Sequence, residues 1–472
     1  MRTSTLLRLA TSGSRSDVLR IAMTALGAAV GALALLCALT VGFIGADDGP
    51  YASNLLNERG LHAGVIVTFG LLCIPLLTFV GQCSRIGAPA RDRRLAALRM
   101  AGATPGDVTR VAAAESSIAA CAGALAGLGA YLAGRELLDR TITEGGEVVL
   151  ALPTDVLAPW WSLLAVVVAL PLAAALFSGV ALRRVAITPF GFLREPRAIP
   201  PRALPAALLL VGAGGMAVFA GLIALLGIGG GGVPVAALVF TVLFALAAGG
   251  LILGTASVAA VLGRLLAPRV RRPSLLIASR RMIALPLSAS RTSSAILLAV
   301  LIGAIVEGMR VQVLLATNTS EEFYASTFDL IDIAIAVALA IAAAGLLVNA
   351  AEGIVSRRRT YAALVAAGTP RPVLARAALA ETLLPLIPGV IIAAATGILA
   401  ARGVLGTTVE GPRDPLATSG PGTVIEAVSV PVPWEQLGIL VGGSIAVMFL
   451  TTAAALLFLR SSSDPTELRT AA

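Results

Sequence analysis

Long apolar runs, separated by short polar segments that carry most of the arginines, dominate the chain. A helix needs about 20 residues to cross the hydrocarbon core of a bilayer, and the runs have that length. They lack the two-residue alternation of a half-buried strand. They therefore predict ten membrane-spanning helices, at 20–44, 62–80, 111–134, 160–182, 204–228, 235–262, 295–313, 328–348, 379–400 and 437–459.

Composition supports this interpretation. Of 472 residues, 57% are hydrophobic and 13% are charged, which lies outside the range of soluble globular chains. The first apolar run is longer than the core of a signal peptide, so we interpret it as a retained anchor. The predicted fold is an all-α integral membrane protein.

The basic residues predict the orientation. All 35 are Arg, and most fall in alternate connecting segments, whereas most acids fall in the others. Because basic segments remain on the cytosolic side, both termini are predicted to be cytosolic. Arginines placed beside spans are attracted by anionic lipid, so membrane lipid is the predicted contact and nucleic acid is not.

The chain shows no residues with the spacing of a catalytic or metal site. It contains no Lys, which excludes a standard Walker A loop and a Schiff-base lysine. The chain has a single His, His62. A Ser-His-Asp site or a proton relay at this residue is therefore disfavoured. The four cysteines lie in or beside apolar runs, where they act as small apolar residues: Cys37, Cys73, Cys83 and Cys121. We predict no cofactor on this chain; ATP and Mg²⁺, if used, are bound by another polypeptide.

One segment occurs twice. "RRLAALRMAGATPGDVTRVAAAE" begins at Arg93 and "RTYAALVAAGTPRPVLARAALAE" begins at Arg359, 266 positions later. We call residues 93–115 the first elbow and 359–381 the second elbow. An even number of predicted spans separates them, so the two halves have the same orientation, unlike the inverted repeats of many secondary transporters. The predicted organisation is a four-helix module at 1–198, two connecting helices at 199–270, a parallel second module at 271–460, and a cytosolic tail at 461–472.

Each elbow has the pattern of a short helix followed by a break. In the first, Leu95 and Leu98 share one face, Gly102 ends the helix, and "ATPGD" supplies an Asp that can cap the next helix. Leu364 and Gly368 occupy the same places in the second elbow. Such a helix can dock in a groove of a soluble protein. It can equally lie among lipid headgroups or serve as a connector.

Two glutamates open the spans that follow the elbows. Glu115 and Glu381 are predicted to pair with nearby arginines such as Arg110 and Arg376, since a carboxylate close to a helix end can reach water or a cation. A role in sensing motion at the elbow is the alternative.

A further charged pair lies within the seventh predicted span. Glu307 and Arg310 are three residues apart on one helix face, which predicts mutual neutralisation. A contact with substrate is the alternative.

The first elbow resembles the signature of the FtsX-like permease family, the membrane subunits of MacB-type ABC transporters. The matching residues are Leu95, Leu98, Arg99, Gly102, Ala103, Thr104 and Glu115. "AITPFGFLRE" is similar to the end of a family module. The resemblance implies a bacterial plasma-membrane permease and a separate cytosolic ABC ATPase, in two copies, that holds ATP and Mg²⁺. The residues it implies for ATPase coupling are Arg93, Leu95, Leu98, Arg99, Gly102, Leu364 and Gly368.

Two features depart from the family pattern. Arg94 and Thr360 stand where an acidic residue often opens the motif. The loops that usually carry a large outer domain are short here, spanning only 45–61 and 314–327. The expected function is therefore export or extraction of a lipid-like or small amphipathic substrate, antibiotic or peptide. A non-transporting subunit that regulates a partner protein is the alternative, and a secondary carrier is disfavoured.

Overall fold

A computed structural model describes residues 15–45, 47–52, 54–57, 66, 100, 102–144, 147–186, 203–225, 233–316, 321–412 and 425–457. The described chain is helical apart from two short hairpins, which confirms the predicted class of helical membrane protein. The chain divides into two compact units, at residues 1–193 and 194–472.

The first unit is a bundle of three long helices. They are α1 (Arg15–Gly42), α3 (Pro105–Leu137) and α4 (Trp160–Ala186), with a single turn, α2 (Asn54–Asn57), after α1. Small residues let α3 approach α1 closely: a Cβ on Gly123 or Gly127 would overlap the backbone of α1 at Ala25 or Ala29. The Thr40 and Tyr131 hydroxyls share a hydrogen bond of 2.6 Å across the same interface.

The second unit contains the remaining helices. In chain order they are α5 (Ala203–Ala217), α6 (Phe219–Leu225), α7 (Val233–Leu266), α8 (Pro273–Ala284), α9 (Pro286–Ala316), α10 (Glu321–Ser356), α11 (Arg358–Ala366), α12 (Arg371–Leu405) and α13 (Trp434–Ala455). Helix α9 is the most buried of the long apolar helices in the described residues. It packs on α12 through Gly308 and Gly397, where a Cβ would touch Ala401 and Ala304, respectively.

Seven described helices are long and apolar enough to cross a membrane, or eight if a bent pair counts as one span. Three predicted spans account for the difference from ten. The span at 62–80 falls outside the described residues except for Ile66, and the apolar part of α4 covers only Trp160–Leu176. The span predicted at 204–228 is the bent pair.

That pair corrects the prediction of one continuous helix. α5 and α6 meet at an angle of 77°. The bend follows a stretch with three glycines (212, 214 and 215), a sequence that weakens helix continuity. Beyond it, the Phe219 ring packs edge-on against Phe240 of α7 at 5.5 Å. On α12, Gly403 lies directly against the Met216 carbonyl at the end of α5, so close packing fixes the bend.

The two hairpins were not predicted, and they occur at matching places. The first pairs β1 (Thr141–Glu144) with β2 (Glu147–Leu150), between α3 and α4. The second pairs β3 (Thr408–Pro412) with β4 (Ile425–Ser429), between α12 and α13. In each unit, the long helix that begins within the elbow is followed by a hairpin and then by another helix.

An arginine at the end of the preceding helix anchors each hairpin region. Arg135 donates hydrogen bonds to the carbonyls of Thr154 and Val156, and Arg402 donates to the Val430 carbonyl at 3.1 Å. In the first unit the Tyr51 hydroxyl adds bonds of 2.9 and 3.0 Å to the Asp155 carboxylate. These bonds hold the loops against the helix ends.

Candidate functional site

The second elbow is described in full, and it forms the predicted short helix and break. Helix α11 ends in a Schellman motif: Thr369 N–H donates to the Leu364 carbonyl and Gly368 N–H to the Val365 carbonyl, both at 2.9 Å. Gly368 has φ +88°, in the left-handed region that favours glycine. A Cβ there would meet nothing within 4 Å, so only the backbone conformation requires glycine.

The first elbow is described only from Met100 and from Gly102 onward. Gly102 has φ +92°, matching Gly368. The next helix, α3, begins with a capping box, in which Asp107 N–H donates to the Thr104 hydroxyl and Thr104 N–H donates to the Asp107 carboxylate, both at 3.2 Å. Thr104 is thus the cap, and the Asp predicted for that role completes the box from the third helical position. The remaining coupling residues of this elbow lie outside the described residues: Arg93, Leu95, Leu98 and Arg99.

Helix α11 has one buried face and one exposed face. Tyr361 and Ala362 are buried, and half-buried Leu364 packs on a core that includes Ile354 and Leu374. Leu364 therefore contributes to the packing beneath the elbow, and its role in ATPase coupling stays a prediction. The exposed face carries small and polar residues: Arg358, Thr360, Ala363, Ala366, Ala367 and Gly368.

An ion cluster fixes α11 to the neighbouring helices. Glu381 on α12 pairs with Arg357, immediately before α11, at 3.2 Å and with Arg281 on α8 at 3.3 Å. Arg281 also donates to the Tyr361 hydroxyl at 2.9 Å. We call Arg281, Arg357, Tyr361 and Glu381 the elbow cluster.

The partners of Glu381 differ from the predicted Arg376. Arg376 and Glu381 are five positions apart on α12, which puts the two side chains on different faces, and Arg376 is exposed. Burial lowers the pKa of Arg281, but Tyr361 and Glu381 outweigh that effect and raise the pKa overall. Arg281 therefore remains charged. Spacing along one helix could not identify these contacts because three separate helices meet there.

Glu115, the counterpart of Glu381, is buried in α3 with 6% of its surface exposed. Close to it, Ser116 and Ser178 both donate to the Ala112 carbonyl at 3.2 Å, which ties α4 to α3 at the end of the first elbow. Arg110, the predicted partner, is exposed.

The intramembrane pair Glu307 and Arg310 lies on α9. Arg310 forms a salt bridge of 2.8 Å with Asp332 on α10, a contact between helices that the sequence did not predict. Its guanidinium also lies 5.8 Å from the centre of the Phe328 ring. Glu307 is buried, with 7% of its surface exposed.

Multiple apolar helices and close packing through small residues define a multi-pass helical membrane protein. The family model for the FtsX-like permease C-terminal region matches residues 64–190 and 332–463, more than half of the chain. The chain therefore belongs to the FtsX-like permease family. Each matched segment contains one elbow. No match was found among curated proteins or among solved structures.

Membership defines the general role. The family comprises permease subunits of ABC transporters, which generally pair with a cytosolic ABC ATPase. It indicates the membrane subunit of a transporter.

Proposed function

We propose that this permease couples ATP hydrolysis by a separate cytosolic ATPase to the export or extraction of a hydrophobic or amphipathic substrate. The ATPase, with its ATP and Mg²⁺, docks on the exposed faces of the two elbows, one copy on each. Both termini and both elbows lie on the cytosolic side of the bacterial plasma membrane. The observation that carries the proposal is the occurrence of two elbows, each within a family match and each turned by a left-handed glycine.

The geometry of the second elbow supports this role. Toward its end, the exposed face of α11 has the small side chains of Ala363 and Ala366, so the backbone can approach a partner closely there. On its other side, the elbow cluster joins α11 to α8 and to α12. A displacement of α11 is therefore passed to a long helix that packs on buried α9. This supports a rigid linkage from the ATPase to the transmembrane helices.

Reconstitution tests the proposal. The chain and its ATPase in lipid vesicles should move a fluorescent amphiphile only when ATP is present. Ala363→Glu places a charge on the exposed face of α11 and should lower the co-purified ATPase from two copies per chain toward one, because the first elbow is unaltered. Thr407→Glu, an exposed position after the opposite end of α12, should leave it unchanged.

The outcomes separate the alternatives. Co-purification without ATP-dependent movement of the amphiphile would favour a subunit that regulates a partner protein. Unchanged co-purification of Ala363→Glu would contradict docking at this face.

A further inference from the structure

Three charged groups meet where α9 packs against α10. Asp332 of α10 accepts the salt bridge from Arg310, and the carboxyls of Glu307 and Asp332 lie close enough to share a hydrogen bond. We call Glu307, Arg310 and Asp332 the membrane cluster. All three lie within helices long and apolar enough to cross the membrane.

Within the membrane cluster itself the charges do not balance. Its two carboxylates and one guanidinium leave one negative charge in excess when both acids are ionised. Among the described side chains, Glu307 Oε2 is buried and has no hydrogen-bond partner. A buried carboxylate oxygen without a donor is costly, and two facing carboxylates repel each other unless a proton or a cation lies between them. A positively charged group that donates hydrogen bonds would satisfy both carboxylates, and a proton shared between them is the alternative.

The cluster can be approached from one side. The Asp332 side chain is 39% exposed, whereas that of Arg310 is 18% exposed. Next to Asp332, the surface of α10 presents Ile333 and Val337, which are 61% and 43% exposed. In a bilayer these side chains face hydrocarbon. A molecule lying along them with an apolar chain would bring its polar end to Asp332 and Glu307.

We propose that the membrane cluster is a binding site for the ammonium head of an amphipathic molecule whose apolar chain lies along α10. The ammonium donates to Glu307 Oε2 and to the Asp332 carboxylate, while Arg310 holds Asp332 in place. This deepens the proposed function by naming a cationic amphiphile as the substrate class, and it rests on that function. A site that holds only a proton is the competing explanation.

Photolabelling of the full chain in lipid nanodiscs, without ATPase, tests the site. The probe is a long-chain alkylammonium with a diazirine in its chain, and the matched control probe is the corresponding alkyl alcohol. Peptide mass spectrometry should find the ammonium probe attached around Ile333 and Val337. Glu307→Gln should lower that labelling about tenfold, the effect expected on losing a charged hydrogen bond.

Two further variants make the test decisive. Asp332→Asn also removes the excess charge, since Arg310 then pairs with the remaining acid, and should reduce labelling similarly. Glu435→Gln makes the same change as Glu307→Gln at an exposed position and should have no effect. Size-exclusion profiles show whether each variant remains folded. If Glu307→Gln does not fold, the labelling of Asp332→Asn tests the proposal in its place.

The opposite results would overturn the proposal. Unchanged labelling in Glu307→Gln and Asp332→Asn would show that the cluster binds only a proton, and equal labelling by the alcohol would show apolar adsorption. Because no ATPase is present, a negative result here leaves the docking experiment intact. Likewise, failure of ATPase docking would not explain a loss of labelling.

Discussion

Glu381→Gln should release α11 from the rest of the second unit. The carboxylate accepts from Arg357 at 3.2 Å and from Arg281 at 3.3 Å, and the Glu381 side chain is only 15% exposed. Glutamine has nearly the same shape and keeps one oxygen acceptor, so the change removes charge rather than volume.

The magnitude follows from the partial burial of the cluster. At an effective dielectric constant of about 20, each pair attracts by roughly 5 kcal/mol before desolvation is subtracted. Net contributions of hydrogen bonds to charged groups are about 1.5–3 kcal/mol. We take about 2 kcal/mol as the net loss, because glutamine retains part of the hydrogen bonding and the Arg357 side chain is 28% exposed. That value corresponds to about a 30-fold increase in local opening of α11.

Hydrogen exchange with mass spectrometry measures this opening directly. Peptides that cover α11 should exchange about 30-fold faster in Glu381→Gln, while peptides from α13 should be unchanged. Arg281→Gln should act in the same direction, whereas Arg376→Gln, at an exposed site, should have no effect. An unaltered exchange rate for Glu381→Gln, or an equal increase for Arg376→Gln, would refute the assigned contacts.

Three further predictions follow from local geometry. Gly368→Ala should destabilise the end of α11 by about 1–2 kcal/mol, because alanine disfavours a positive φ, and should speed exchange there. Gly403→Ala would overlap a carbonyl of α5 and should lower the melting temperature, while Gly353→Ala, a helical site with open space, serves as the control for both. Burial and the hydrogen bonds to Asp155 raise the pKa of Tyr51, so its neutral form stabilises the fold below pH of about 10 and that contribution is lost at higher pH. In a near-ultraviolet titration, Asp155→Asn should therefore lower the pKa of Tyr51; an unchanged titration would contradict the contact.

The long apolar helices were predictable because each crosses the bilayer independently, and composition alone determines that property. Gly368 was also predictable as a helix end, since its positive φ restricts the residue type locally, and Gly102 has the same backbone conformation. The bend between α5 and α6 was not predictable from the sequence, because it depends on close packing against α7 and α12. The one sequence signal for the hairpins is a short similarity. "TITEG" and "TTVEG" occur 266 residues apart, which is also the spacing of the elbows.

The charged contacts were likewise predictable in part. Spacing along one helix identified Glu381 and Arg310 as residues that need partners. Their partners, Arg281 and Asp332, come from other helices, so helix packing selects them. The exposed and buried faces of α11 likewise depend on its neighbours, which is why Leu364 proved to be half-buried.

Site-specific photocrosslinking tests the central claim most directly. A photoreactive amino acid at Ala363, on the exposed face of α11, should crosslink to the cytosolic ATPase in the assembled transporter. The same amino acid at Thr407 should not. Crosslinking at Thr407 with none at Ala363 would contradict the assignment of the elbows as the ATPase docking site.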